Sequence, residues 1–316
     1  MSAPVHNERH QPSRPSSHRN NLFFVKPFLN RRAFLALAAL PAFKFPTDPR
    51  HRLSVSTYPF RGVLINFRKP AAEKLTLQQF ASTLHEKFGV YGIEPWSPHF
   101  ESLDPAYLSD LAVAFKTAGL KVVNIPCDVN VHLCGSSEQR DKALATYRQW
   151  VDAAAILGSP SIRVHCPAGP NPADIACAVD GLKALAEYGQ SKNIVINLEN
   201  DEPGAEDPER IVKVIAAAAT PYLRALPDFC NSMLIHNDQD YNARSLAALF
   251  PHAYNISHVK DVEFDKGTTY RVDMDRIFSI AKKAHYHGYF SMESEAEGDP
   301  YENTKSLIAA AVRNLS

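Results

Sequence analysis

The sequence predicts an α/β protein with a (β/α)8 TIM barrel, built as a single domain after an N-terminal export signal. From Leu53 onward, short apolar runs alternate strictly with longer helical patterns, and the alternation yields eight strand–helix pairs. The stretch 51–316 also has the size of such barrels, which contain about 250 residues. The competing open sheet normally has a glycine-rich loop after its first strand, whereas "TYPFRGVLINF" holds one glycine at that place.

The predicted strands share a length of four to seven residues and a content of β-branched and aromatic residues. Gly, Pro, Asn or Ser bounds each of them, which is typical of strands that are buried on both faces. They are predicted at Leu53–Ser56, Val90–Glu94, Lys121–Ile125, Ser161–His165, Ile194–Glu199, Leu223–Asp228, Tyr254–Lys260 and Tyr289–Glu293.

The predicted helices lie between these strands and carry start and stop signals. Two of them open with an Asp-Pro pair, an N-cap followed by proline at the first helical position. Gly119 and Gly158 stand where the second and third helices should end. The helices are predicted at Thr76–Lys87, from Asp104 to near Gly119, at Ser137–Leu157, at Asn171–Gly189, from Asp207 onward, and at Asn242–Leu249, Asp275–Ala284 and Tyr301–Leu315.

Residues 1–50 are predicted to be a disordered, basic N-terminus with an export signal. A basic stretch precedes the apolar run Ala33–Phe43, which has about half the length of a membrane-spanning helix. The junction, from Asn30 through Arg31 and Arg32 to Leu35, resembles the twin-arginine export motif. We therefore expect export to the periplasm by the twin-arginine route, and a cytoplasmic protein if the segment is only a basic tail.

The overall composition excludes several classes of partner. Lys and Arg total 34 and Asp and Glu total 34, so the net charge is zero and nothing favours a nucleic-acid partner. No apolar run reaches the roughly 20 residues of a membrane span, so no stable membrane insertion is expected. The oligomeric state is left open, with a homo-oligomer as one option.

The last four predicted strands each carry, at or near the carboxyl end, a residue whose side chain can bind a metal ion. Glu199, Asp228, His258 and Glu293 fall at the ends of the fifth to eighth strands, one strand–helix unit apart. The carboxyl ends of barrel strands surround the active site, so these side chains should share one face. Three carboxylates and an imidazole suit one divalent ion, Mn²⁺, Mg²⁺, Co²⁺ or Zn²⁺. Glu295 competes with Glu293, because the period of a strand places both on one side.

The motifs that carry these residues also resemble a known family. The segments "VYGIEPW", "INLEN", "PDFCN", "SHVKD" and "FSMESE", in this order, resemble the xylose isomerase-like TIM barrels, the sugar phosphate isomerase/epimerase type. The resemblance implies that Glu199, Asp228, His258 and Glu293 hold the metal and that Glu199 and Glu293 transfer the proton. The chain departs from many members at Asn231, where they have a histidine.

Further residues are predicted to bind the substrate. They lie just after the second strand, at the end of the fourth strand, and beyond the sixth-strand Asp and the seventh-strand His. An aromatic ring at such a place can stack on a sugar, and charged or amide groups can bind its hydroxyl or carbonyl oxygens. These residues are Glu94, Trp96, Arg163, His165, Asn231 and Lys260.

The predicted function is metal-dependent isomerisation or epimerisation of a small sugar, sugar phosphate or polyol. Proton transfer next to a carbonyl, through an enediolate, would use the two glutamates as acid and base. A lyase or hydratase acting on a keto-sugar or inosose shares the first step and is the close alternative. A non-catalytic sugar-binding barrel and an apurinic-site endonuclease are the remaining alternatives.

Overall fold

The computed structural model describes residues 45–69, 74–167, 172–201 and 207–315. Within these residues the predicted barrel is confirmed, with parallel strands inside and helices outside. The predicted export signal, with Arg31 and Arg32, lies outside the described residues. In the described part of the chain, no helix is both long and apolar enough to span a membrane.

Eight strand positions form the barrel, and one of them is divided into two pieces. The strands are β1 (Leu53–Ser56), β2 (Gly92–Glu94), β3 (Lys121–Val122), β4 (Ile125–Pro126), β5 (Ser161–Val164), β6 (Val195–Glu199), β7 (Leu223–Leu226), β8 (Ile256–Val259), β9 (Val262–Asp265), β10 (Thr268–Arg271) and β11 (Tyr289–Met292). β3 and β4 share the third position, and β9 and β10 lie outside the barrel wall as a hairpin.

Parallel pairing closes the barrel. Strand order runs β3-β2-β1-β11-β8 in one sheet and β4-β5-β6-β7 in the other. Single bridges complete the wall between β7 and β8, from Ala225 to Ala253 and from Asp228 to His258. The second bridge joins two of the predicted metal ligands, so barrel closure itself brings them side by side.

The third strand differs from its prediction. Lys121–Ile125 was expected to be continuous, but the ladder is interrupted at Val123 and Asn124. The Asn124 side chain lies inside the barrel, where its amide donates to Glu94 at 2.8 Å and its oxygen accepts from Ser161 at 2.6 Å. Side-chain hydrogen bonds across the barrel thus accompany the break in the backbone ladder.

Eight helices cover the outside of the described barrel. They are α1 (Leu77–Phe88), α2 (Pro105–Thr117), α3 (Ser137–Leu157), α4 (Pro172–Lys192), α5 (Pro208–Ala218), α6 (Gln239–Leu249), α7 (Met274–Lys283) and α8 (Pro300–Leu315). Thr76 and Ser136 form capping boxes at the starts of α1 and α3. Gly158 ends α3 in the left-handed conformation, with φ of 70°.

Helix α4 continues past the glycine that was expected to end it. The predicted end was Gly189, whereas the helix runs to Lys192. A Cβ atom at position 189 would lie 2.4 Å from the carbonyl oxygen of Ile194. This glycine therefore permits a close approach of the helix to the chain that enters β6, rather than marking a helix end.

The hairpin of β9 and β10 was not predicted. Its two-residue turn is Lys266-Gly267, and both residues have positive φ, 47° and 81°. Positive φ at both central residues is what a tight hairpin turn of this length requires. The hairpin follows the seventh barrel strand and brings Glu263 to the open end of the barrel.

A small apolar cluster, here called the barrel floor, includes the first residues of β8 and β11, Ile256 and Tyr289. It consists of Val123, Leu226, Ile256 and Tyr289, with Phe45 packed against it. The Phe45 ring contacts Tyr254 and Tyr289 edge-on, with centroids 6.2 and 6.3 Å away. Residues 45–50 belong to the stretch 1–50 that the sequence assigns to the N-terminal region outside the barrel. Phe45 of this stretch nevertheless packs on the barrel.

Candidate active site

The four predicted metal ligands converge at the carboxyl ends of their strands. Glu199 is the last residue of β6, Asp228 follows β7, His258 lies within β8, and Glu293 follows β11. Each offers one ligand atom, and these atoms all lie within 4.8 Å of one another. All four side chains are buried. Adjacent strands of one barrel therefore bring together three carboxylates and one imidazole.

His258 lies at the centre of this cluster. Its Nδ1 atom is 2.6 Å from Glu199 Oε1 and 3.0 Å from Glu293 Oε2. Burial lowers the pKa of His258, but the surrounding carboxylates outweigh it and raise that pKa well above its ordinary value. A positive charge is thus strongly favoured at this point, whether a proton or a metal ion supplies it.

Asp228 provides the test of whether a metal fits. Its Oδ1 atom accepts hydrogen bonds from the backbone N–H groups of Cys230 and Asn231, both at 2.8 Å. Its buried Oδ2 atom has no hydrogen-bond partner among the described residues. Burial, reinforced by the neighbouring carboxylates, raises the pKa of Asp228 to about 7. An unsatisfied buried acceptor beside two carboxylates and an imidazole fits a divalent ion.

Two of the four ligands also border an open cavity. Glu199 and Glu293 line a space of about 940 Å³ at the mouth of the barrel. Arg163 Nε lies 2.9 Å from Glu199 Oε2, and the Ser56 hydroxyl donates to Glu293 Oε1 at 3.0 Å. Burial raises the pKa of Glu293, but the positive charges of His258 and Lys260 hold it below its ordinary value. Both glutamates are therefore positioned by named contacts and open toward the cavity.

A second polar cluster surrounds Asp128 on the cavity wall. Asp128 Oδ1 lies 2.5 Å from Arg163 Nη1 and 2.8 Å from His165 Nε2. The Trp96 indole N–H donates to Asp128 Oδ2 at 2.5 Å. Burial raises the pKa of Asp128, but Arg163 and His165 together hold it well below its ordinary value. The predicted pair Arg163 and His165 is thus brought to the cavity and anchored by one carboxylate.

Lys260 and Asn231 meet on the opposite side of the metal cluster. The Lys260 ammonium donates to Asn231 Oδ1 and to Glu263 Oε2, both at 3.0 Å. It also lies 3.7 Å from Asp228 and 3.9 Å from Glu293. Burial lowers the pKa of Lys260, but these carboxylates raise it well above its ordinary value. Lys260 is therefore a buried, charged donor that borders the cavity.

Two predicted substrate-binding residues lie elsewhere than expected. Glu94 is fully buried and is not among the described residues that line the cavity. Its carboxylate oxygens lie 3.0 and 3.1 Å from His258 Nε2, beneath the metal cluster. The Trp96 ring packs edge-on against Tyr58, with centroids 4.9 Å apart, and it is Tyr58 that lines the cavity.

Glu295 does not share the position of Glu293. Its carboxylate pairs with Arg61 at 2.8 Å, on the rim of the cavity. The backbone N–H of Glu293 still donates to Val259 O at 3.0 Å, so the two-residue alternation of β11 reaches Glu293, whereas Glu295 lies two residues beyond this last ladder bond. The geometry therefore brings Glu293, and not Glu295, to His258.

Sequence reasoning missed two carboxylates of the site. Asp128 follows β4 by two residues, so the rule that barrel strands present functional residues at their carboxyl ends would have found it. Glu263 belongs to the unpredicted hairpin, whose Lys-Gly turn between two short alternating runs was the available signal.

The fold agrees with the comparison to known families. A family model described as xylose isomerase-like TIM barrel matches residues 83–315, and the chain belongs to that family. Comparison with curated proteins gives no match.

Solved structures of the same fold include three that cover most of this chain. A xylose isomerase-like TIM barrel protein from Mycobacterium smegmatis, in complex with magnesium, is 16% identical with a TM-score of 0.64, covering 84% of this chain and 97% of its own. The 3-keto-D-glucoside 4-epimerase of E. coli is 17% identical with a TM-score of 0.60, and the match covers 83% of this chain and 99% of the epimerase. A D-allulose 3-epimerase from Methylomonas sp. is 16% identical with a TM-score of 0.63, and the match covers 86% of this chain and 98% of the epimerase. At these identities the likeness shows the fold alone.

Proposed function

We propose that this chain is a divalent-metal-dependent isomerase or epimerase that moves a proton next to the carbonyl of a sugar or related polyol. The observation that carries the proposal is the cluster of Glu199, Asp228, His258 and Glu293, two of which face a cavity large enough for such a substrate. Epimerases of a 3-keto-glucoside and of allulose among the proteins of like fold support the same reaction class.

The residues present would hold one divalent ion. Glu199, Asp228, Glu293 and His258 would be its ligands, a mixed oxygen and nitrogen set that suits Mn²⁺, Mg²⁺, Co²⁺ or Zn²⁺. When bound, such an ion acts as a Lewis acid and stabilises the negative charge that develops on the oxygens of an enediolate.

Glu199 and Glu293 are the proposed acid and base. Both border the cavity, and they approach His258 from different strands. One carboxylate removes the carbon-bound proton of the substrate, and the other side chain delivers or accepts the second proton. Arg163 and Ser56 each hold one glutamate oxygen, which leaves these carboxylates little freedom to turn away from the substrate.

The remaining polar residues of the wall are the proposed substrate contacts. Lys260 and Asn231 present a donor and an amide on one side, and Arg163 and His165 present donors on the other. Donors of this kind bind sugar hydroxyl and carbonyl oxygens. The absence of net charge on the chain gives no support to a nucleic-acid substrate.

Proton–deuterium exchange in D₂O tests the proposal directly. Wild-type protein with added Mn²⁺ is incubated with a panel of keto- and aldo-sugars, and incorporation of deuterium is followed by NMR. Glu199→Gln and Glu293→Gln should each reduce the exchange rate by about 100- to 10,000-fold, the usual contribution of a general acid or base. Glu295→Gln removes the same charge from the rim and should keep exchange near the wild-type rate. Exchange at wild-type rates in both site variants would refute the assigned acid/base pair.

A lyase acting on a keto-sugar is the second candidate, and the position of Lys260 favours it. Its ammonium is 3.9 Å from Glu293 and faces the cavity, where it can donate to a departing hydroxyl after the first proton is removed. The same D₂O experiment separates the reactions, because elimination gives a dehydrated product whereas epimerisation does not. Tightly bound substrate with no exchange and no bound metal would instead indicate a sugar-binding barrel.

Export to the periplasm by the twin-arginine route remains our proposal for the location of the protein. The twin arginines Arg31 and Arg32 and the apolar run that follows them support it. Replacing both arginines by lysine should keep the full-length chain in the cytoplasm in cell fractionation. Equal periplasmic amounts of the variant and the wild type would contradict this proposal.

A further inference from the structure

A carboxylate outside the four candidate metal ligands contacts the His258 ring at the nitrogen that faces away from Glu199 and Glu293. Glu94 ends β2, is fully buried, and lies beneath the cluster rather than along the cavity. Its two oxygens are 3.0 and 3.1 Å from His258 Nε2, whereas Glu199 and Glu293 approach Nδ1. The two ring nitrogens therefore have different partners, and neither sequence motif nor family comparison assigns a role to this contact.

We propose that Glu94 is a positioning residue: it accepts the Nε2–H of His258, so that Nδ1 is the nitrogen that binds the divalent ion. The inference rests on the metal site proposed above. Nδ1 faces the carboxylates of Glu199 and Glu293, whereas Nε2 faces Glu94, so a neutral imidazole that binds the ion through Nδ1 carries its proton on Nε2. The lone pair of Nδ1 then points at the carboxylates of Glu199 and Glu293.

Glu94 lies outside the ligand set itself. The group of side chains whose ligand atoms all lie within 4.8 Å of one another comprises Glu199, Asp228, His258 and Glu293. Glu94 contacts the far edge of the imidazole, so the ring separates it from that group. A carboxylate in this place supports a metal-binding histidine without binding the ion.

Glu94 is in turn held by a chain of buried amides and hydroxyls. Asn124 donates to Glu94 Oε1 at 2.8 Å, and Ser161 donates to Asn124 Oδ1 at 2.6 Å. Asn255 donates to the Ser161 hydroxyl at 2.8 Å. This chain crosses the barrel interior from the third strand to β5 and to the start of β8. The orientation of His258 is therefore tied to the packing of the barrel interior.

The nitrogen that binds the ion can be read by NMR. Full-length protein with ¹⁵N-labelled histidine is loaded with Zn²⁺, and long-range ¹H–¹⁵N correlations report the tautomer of each ring. His258→Gln identifies the signals of His258 by their loss. We expect a protonated Nε2 and a metal-bound Nδ1. A metal-bound Nε2 would overturn the inference while leaving the proposed metal site in place.

Metal affinity tests the energetic role of Glu94. Mn²⁺ binding is measured by calorimetry for the wild type, Glu94→Leu, Glu94→Gln and the control Glu295→Gln. Loss of a carboxylate that supports a ligand weakens metal binding by about 10- to 100-fold, which we expect for Glu94→Leu. The amide oxygen introduced by Glu94→Gln still accepts from Nε2–H, so this variant should stay within about 10-fold of wild type.

The outcomes distinguish this inference from the proposal on which it rests. Equal Mn²⁺ affinity in Glu94→Leu and Glu295→Gln would overturn the role of Glu94 alone. A wild-type protein that binds no divalent ion would overturn the proposed function and this inference together. If Glu94→Leu does not fold, the tautomer of wild-type His258 still decides the question, because it requires no substitution at position 94.

Discussion

The two levels of the barrel interior contrast sharply in chemistry although the same strands build both. The barrel floor is an apolar cluster that includes Ile256 and Tyr289, the first residues of β8 and β11. Two and four residues further on, the same strands present His258 and Glu293 at the mouth. Along a strand, every second side chain faces the same side, so a short distance in sequence separates the two levels. The floor stabilises the fold, whereas the mouth concentrates buried charges, to which the proposed function assigns metal binding and proton transfer.

The mouth is expected to be dispensable for folding but not for metal binding. Asp228→Asn keeps the Oδ1 acceptor for the backbone N–H groups of Cys230 and Asn231 but replaces the metal-facing oxygen. Mn²⁺ affinity should fall by more than about 100-fold, beyond the effect of losing a supporting residue. Because burial disfavours the charged form of Asp228 and raises the pKa of this carboxyl, a neutral amide should leave the metal-free stability near wild type. Calorimetry and urea unfolding with a chelator check both parts.

A strongly destabilised Asp228→Asn protein that still bound Mn²⁺ would contradict the expectation that the mouth supports metal binding rather than stability. It would show that this carboxylate supports the fold and that the ion is held elsewhere.

The floor should behave in the opposite way. Ile256→Ala removes a fully buried side chain from the apolar cluster and should lower the free energy of unfolding by about 2–5 kcal/mol. The variant should still bind Mn²⁺ with near wild-type affinity, because the ligands at the mouth are unchanged. The matched control Val113→Ala alters a side chain that is 63% exposed and should change stability by less than about 0.5 kcal/mol. Urea unfolding and calorimetry measure the two properties.

Bound metal should raise the free energy of unfolding by the same amount whether or not the barrel floor is intact. A ligand that binds only the folded state, at 100 times its dissociation constant, adds about 2.7 kcal/mol to the free energy of unfolding. Mn²⁺ should therefore stabilise the wild type and Ile256→Ala by equal amounts and leave Asp228→Asn unchanged. Thermal or urea unfolding with and without Mn²⁺ gives this comparison, and equal stabilisation of all three proteins would argue against the site.

Two buried histidines, His258 and His99, should affect the pH dependence of stability differently. His258 is surrounded by carboxylates, whereas His99 contacts the Thr57 hydroxyl at 2.9 Å, and burial lowers the pKa of His99 from 6.5 to about 3. A histidine that is neutral when folded contributes stability above pH 6.5 and loses it as the pH falls toward 3. The wild type should therefore lose about 1 kcal/mol per pH unit in this window relative to His99→Gln. Parallel urea unfolding at pH 7 and pH 5 measures the difference, and identical pH profiles would contradict it.

The elements of the fold were largely predictable because their signals are local. The capping residues Thr76 and Ser136 and the glycine after Leu157 mark helix ends by hydrogen bonding and backbone conformation. The proline of each Asp-Pro pair marks a helix start by its fixed φ. The convergence of the four candidate metal ligands was also predictable, because the rule for parallel barrels places all strand ends on one face.

The parts that were not predicted depend on contacts between distant strands. Asn124 interrupts the third strand while bonding to Glu94 and Ser161, and neither partner is close to it in sequence. Glu94 was expected at the substrate, but its distance to His258 depends on how β2 and β8 face each other across the barrel. The sequence predicts that the helix ends at Gly189, but the structural need for a glycine there is the close approach of the Ile194 carbonyl. That carbonyl lies outside the helix, so the helical pattern carries no signal of it.

By itself, the amino-acid sequence determined the alternation of strands and helices, the class of barrel and the types of side chain offered at its mouth. These properties follow from periodicity, capping and the order of residues along one strand. Only the tertiary structure decided whether Glu293 or Glu295 contacts His258, which carboxylate lies at the far edge of the imidazole, and which one pairs with arginine at the rim. Those choices depend on distances of a few ångströms between strands, and such distances exist only once the barrel has closed.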